Sequence, residues 1–96
     1  MTKLATLIEV TEGSPESVLK KLAISKLGAA RLLPVPGSDT VNIDGGLNDI
    51  RAVISANQIN FFVRYKHDVD KYTKLLARFT EENNECCRLL PCKSIS

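Results

Sequence analysis

The sequence predicts an α+β domain, and a few features of its 96 residues lead there. Residues 3–10 and 59–66 are period-two runs rich in β-branched and aromatic residues, as strands are. Between and after them lie stretches whose apolar residues recur at helical spacing. Turn residues (Gly13, Pro36-Gly37, Gly45-Gly46) separate these stretches. Taken in order, the elements read β-α-β-β-α-β and then one more helix. That order matches a ferredoxin-like split βαβ sandwich with an additional C-terminal α-helix. Residues 1–92 are assigned to a single domain and 93–96 to a short C-terminal tail.

In residues 3–10, Leu4, Thr6, Ile8 and Val10 alternate with Lys3, Ala5, Leu7 and Glu9, the pattern of a half-buried strand. Ser14-Pro15-Glu16 is a helix start. It offers a hydroxyl to cap free amides, a proline with no N–H to lose, and an acid at the positive end of the helix dipole. Val18, Leu19, Leu22, Ala23 and Leu27 share the buried face of that helix, and Gly28 supplies a left-handed stop. Residues 29–35 are extended, but Pro34 removes a ladder donor and sends this strand to a sheet edge. Pro36 and Gly37 fit the two central positions of a type II turn. Residues 40–43 form another short strand, broken by Asp44-Gly45-Gly46. Leu47, Ile50, Val53 and Ile54 are spaced for a helix, capped by Asn48 or Asp44. Residues 59–66 form a strand with Ile59, Phe61, Val63 and Tyr65 on one side and Asn60, Phe62, Arg64 and Lys66 on the other. The last helix is expected to run from Asp68 to about Leu89, ended by Pro91.

Composition places the chain among ordinary globular domains, with 44% hydrophobic and 25% charged residues. No apolar run approaches the ~20 residues that cross a bilayer. Glu9 and Glu12 interrupt the N-terminal region before a signal-peptide core forms. No membrane association is expected. Cys86, Cys87 and Cys92 crowd into one end of the chain, and an odd, clustered set does not staple distant segments. The thiols are therefore read as reduced and the location as cytoplasmic. A net charge of +2 gives no global attraction for a polyanion. The distribution is more telling. Lys20, Lys21, Lys26 and Arg31 lie in an acid-free stretch between Glu16 and Asp39, and Arg64, Lys66, Lys71, Lys74 and Arg78 form a second cluster.

No catalytic or metal motif stands out. The cysteine pattern C-C-x₄-C, with His67 as the only imidazole, lacks the second ligand pair of a zinc site. A thiol activated by His67 and Asp68 would have to reach back ~30 Å along the expected helix. Asp44-Gly45-Gly46 lacks the further glycine or Lys-Ser/Thr of a phosphate loop. The chain is expected to be no enzyme and to carry no cofactor.

Two binding readings remain. Val69, Tyr72, Leu76, Phe79, Asn83, Cys86 and Leu90 are spaced 3, 4, 3, 4, 3, 4, as in a heptad seam. Its second half, with Asn83, Cys86, Leu89 and Leu90, would project from the domain and meet a partner. This predicts a non-enzymatic interaction or regulatory module, a homo-oligomer or a binder of another protein. The alternative is a small nucleic-acid-binding protein. Phe62 would then offer a stacking platform, with Arg64 and Lys66 on the same strand face and Lys71, Lys74 and Arg78 along the helix as phosphate contacts.

Overall fold

The structure, a computed structural model, describes residues 2–28, 31–44 and 50–92, with only the backbone described at 31 and 42–44. The strands are β1 (Thr2–Val10), β2 (Arg31–Pro34), β3 (Thr40–Asp44), β4 (Ile50–Ser55), β5 (Gln58–Val63) and β6 (Cys87–Pro91). The helices are α1 (Pro15–Leu22) and α2 (Val69–Glu82). The strands form one six-stranded antiparallel sheet in the order β2-β3-β4-β5-β1-β6. The architecture is α+β.

Local chemistry accounts for several boundaries. Ser14 caps α1, its Oγ accepting from the Ser17 N–H at 3.2 Å, and Pro15 follows in the first turn. A π-helical turn, Ala23–Leu27, continues α1 and ends at Gly28, whose φ of +61° needs no Cβ to be accommodated. Pro36 and Gly37 occupy the expected turn: Gly37 has φ +73°, and the Ser38 N–H donates to the Val35 carbonyl at 3.1 Å. Strand β2, with Pro34, lies at an edge of the sheet.

Three expectations are overturned. The helix expected around Leu47–Ile54 is instead β4, whose Ile50 and Ala52 are buried while Arg51 is exposed. Its pairing with β5 sets Ser55 opposite Gln58, leaving Ala56 and Asn57 as a two-residue hairpin loop. Residues 45–49, which hold Gly45-Gly46, Leu47 and the Asn48 cap, lie outside the described residues, as does the tail 93–96. Next, the strand expected at 59–66 stops at Val63. Finally, the long last helix ends at Glu82, and the residues given to its second half form β6 against β1. The helix stops at Asn83, whose backbone leaves the helical region (φ −128°, ψ 37°) while its N–H, at 3.0 Å, and its side-chain amide, at 2.9 Å, both donate to the Phe79 carbonyl.

The resulting order differs from that of a ferredoxin-like sandwich, since β2, β3 and a strand in place of the second helix widen the sheet. Within it, β5 lies between β1 and β4, and β1 lies between β5 and β6. Both helices cover one face. Leu4, Ile8, Ile50, Ala52, Ile59, Phe61, Val63 and Cys87 from the strands pack with Val18, Leu19 and Leu22 of α1 and Tyr72, Leu76 and Phe79 of α2. The alternate strand positions, Leu7 and Phe62 among them, belong to the face without helices. Among the described residues, no helix is long and apolar enough to cross a membrane.

Candidate nucleic-acid interface

Helix α2 buries Tyr72, Leu76 and Phe79, and the 3.6-residue period therefore turns Lys71, Lys74 and Arg78 outward. These exposed cations, one turn apart, border a shallow groove of about 340 Å³ whose lining is completed by Leu75 and Lys26. Lys26 comes from the π-helical turn Ala23–Leu27 that closes α1. The same turn exposes Ile24, 62% accessible, beside a chain segment otherwise packed in the core.

The electrostatics of the groove are lopsided. Lys26 Nζ pairs with Glu82 Oε1 at 2.7 Å, while Lys71 Nζ lies 5.4 Å from the Tyr72 ring centroid. Among the described residues, Lys74 and Arg78 have no carboxylate partner. Lys74 is not bridged to Asp70, the acid four residues before it. Cations gathered without counter-charges on a concave surface raise the local potential and concentrate anions.

The connection from β5 to α2 adds aromatic surface. Tyr65 is 43% exposed, stacks on His67 with ring centroids 5.4 Å apart, and has the Arg64 guanidinium 5.4 Å from its centroid. Lys66 begins a single 3₁₀ turn, Lys66–Asp68, and is exposed. His67 lies 3.6 Å from Asp68 and is solvent-facing, with no thiol beside it to activate.

The structure thus divides the residues expected to touch nucleic acid. Lys71, Lys74 and Arg78 come together. Arg64 and Lys66 lie in the connection beyond the strand they were assigned to. Phe62 faces the other side of the sheet, opposite Lys3 of β1 and Arg51 of β4. Sequence reading missed Lys26 as a member of the groove, although the acid-free stretch around it was a signal.

The residues expected to meet a partner through an extended helix are placed elsewhere. Asn83 is buried and turned inward: its carbonyl accepts from the Cys86 and Cys87 N–H groups at 3.1 and 3.2 Å. Both thiols also approach that oxygen, at 3.5 and 3.4 Å. Leu89 packs against the core, and Leu90 lies opposite Leu7 on the helix-free face. Cys87 is the buried thiol and Cys86 is half-buried. Burial, reinforced by Cys86, pushes the Cys87 thiol from 9.0 up to about 12. Among the described residues, no three His, Cys, Asp or Glu side chains converge to hold a metal ion.

No protein-family model matches the chain, and neither a curated protein nor a solved structure matches it.

Proposed function

We propose that this chain is a non-enzymatic nucleic-acid-binding module that holds backbone phosphates in the groove of Lys26, Lys71, Lys74 and Arg78. The observation that carries this reading is the meeting of four cations from two separate elements around one concavity, with a single carboxylate among them engaged. Arg64, Lys66 and the exposed ring of Tyr65 extend the same surface toward β5. Phosphate contacts of this kind bring affinity without sequence preference, and binding then weakens with salt.

The architecture itself is read as a split βαβ sandwich. In it β1-α1-β4 interlocks with β5-α2-β6, and the β2–β3 hairpin adds two strands at one edge. The interleaving of β5 and β1 supports that reading.

The test is anisotropy titration of labelled oligonucleotides at about 50 and about 200 mM salt, where phosphate-driven affinity differs most. Lys74→Glu and Arg78→Glu are each expected to weaken binding about tenfold at the lower salt and to flatten the salt dependence by roughly one unit of slope. Both side chains are exposed, so stability should hold. Absence of binding by the unaltered chain at low salt, or unchanged affinity in both variants, would sink the reading.

A further inference from the structure

The helix-free face of the sheet identifies which form of nucleic acid this chain takes. We propose that it is a single strand, with an unpaired base stacked on Phe62 between the cations of Lys3 and Arg51. This rests on the nucleic-acid reading above and adds to it a second surface and a preference for unpaired bases.

In the register of the sheet, Phe62 of β5 stands directly opposite Lys3 of β1 on one side and Arg51 of β4 on the other. Directly opposed residues have Cβ atoms about 4.5–5.5 Å apart, so Lys3 and Arg51 are the nearest cross-strand neighbours of Phe62 on this face. Lys3 and Arg51 are exposed, and Phe62 is half-buried. One step along the strands lie Asn60, opposite Leu7 and Val53, and then Gln58, opposite Glu9 and Ser55. Side-chain amides carry both donors and acceptors for base edges. Glu9 is the one carboxylate described on the β1, β4, β5 and β6 part of this face, and Arg88 neutralises it through an Nε to Oε1 hydrogen bond of 2.7 Å. What remains among the described residues is a ring, two cations without a carboxylate partner, the Gln58 amide and the Asn60 amide, whose Oδ1 the Cys92 thiol approaches at 3.9 Å, on a broad pleated surface. That chemistry complements a strand of bases joined by phosphates. A duplex hides the faces of its bases in its own stack and offers Phe62 nothing to cover.

The chain contains no tryptophan, so Phe62→Trp places a unique fluorophore at the centre of the proposed platform. Titration with an oligothymidine should quench its emission, and titration with a duplex should leave it nearly unchanged. Phe62→Ala should weaken single-strand binding roughly tenfold, as expected for losing one stacked base, while duplex binding and the salt slope stay as they are. Phe62→Leu keeps apolar bulk in the pleat and should lose a similar factor, which separates stacking from damage to the fold. Arg51→Ala should reduce the single-strand salt slope by about one unit. Single-strand binding that leaves the emission of Phe62→Trp unquenched, or that is unaltered in Phe62→Ala, overturns the platform. In either case groove-dependent binding, weakened only by Lys74→Glu or Arg78→Glu, would leave the broader reading in place. A concentration-dependent dimer dissolved by Leu90→Glu, with no quenching of Phe62→Trp by oligothymidine, would assign the face to a second copy instead and also overturn the platform.

Discussion

Asn83 stands where α2 ends, and its side chain looks from sequence like a partner-selecting polar residue in a seam. The side-chain amide closes on Phe79 while the backbone carbonyl gathers the next segment, so these groups are engaged within the residue's own chain. Asn83→Ala removes the buried donor and leaves the Phe79 carbonyl with the backbone N–H alone. It should cost about 1–2 kcal/mol, seen as a lower urea midpoint with an unchanged slope. Cys87 carries a second consequence. Its thiol stays protonated up to about 12 in the folded chain, whereas an unfolded chain ionises it near 9.0. The folded-state value is the raised one, so the contribution is fully present below pH 9 and is lost as pH climbs toward 12. Chemical denaturation above pH 9 should therefore show stability falling by up to ~1.4 kcal/mol per pH unit from this group, a slope that shrinks in Cys87→Ala. Native Cys87 should also resist alkylation at mildly alkaline pH, while Cys86 reacts.

The β4–β5 hairpin turns on Ala56, whose φ of +53° is the one positive value among described residues other than glycine. A Cβ in that conformation costs roughly 1 kcal/mol, so Ala56→Gly should raise the thermal midpoint by a few degrees despite the entropy that glycine adds to the unfolded chain. The same hairpin shows why β4 was not legible. Its period-two pattern was present in Ile50, Ala52 and Ile54, but Ala52 is too small to weigh as apolar, and Val53 next to Ile54 supplies a helical spacing by coincidence. Elements fixed by neighbouring residues were readable: the Ser14 cap, the Pro36-Gly37 turn, the Gly28 stop and the alternation of β1 and β5. Strand β6 was not, because Cys87, Leu89 and Leu90 pair with Val10, Ile8 and Leu7 from the far end of the sequence. The candidate site divides in the same way. Lys71, Lys74 and Arg78 lie on one helix and could be grouped by spacing. Lys26 joins them only through tertiary packing, and Lys3 and Arg51 reach Phe62 only through strand register.

Taken whole, the molecule separates its tasks by side. One face of the sheet is spent on the core with α1 and α2, whose outer surface carries the cation groove. The other face is left to Phe62 and its flanking charges. The two surfaces are built from different elements, so substitutions in one should combine with those in the other without coupling in free energy, as expected for residues sharing no contacts.

The position of β1 in the sheet has a last consequence. This strand comes early in the chain yet sits in the interior, hydrogen-bonded on one edge to β5 and on the other to β6. During synthesis it must wait for both, and until residues 87–91 emerge it keeps one bare edge. A nascent or truncated polypeptide lacking that final stretch would offer its neighbours a ready template for intermolecular pairing. Premature stops just after α2 should accordingly send the product to the insoluble fraction instead of yielding a weaker binder.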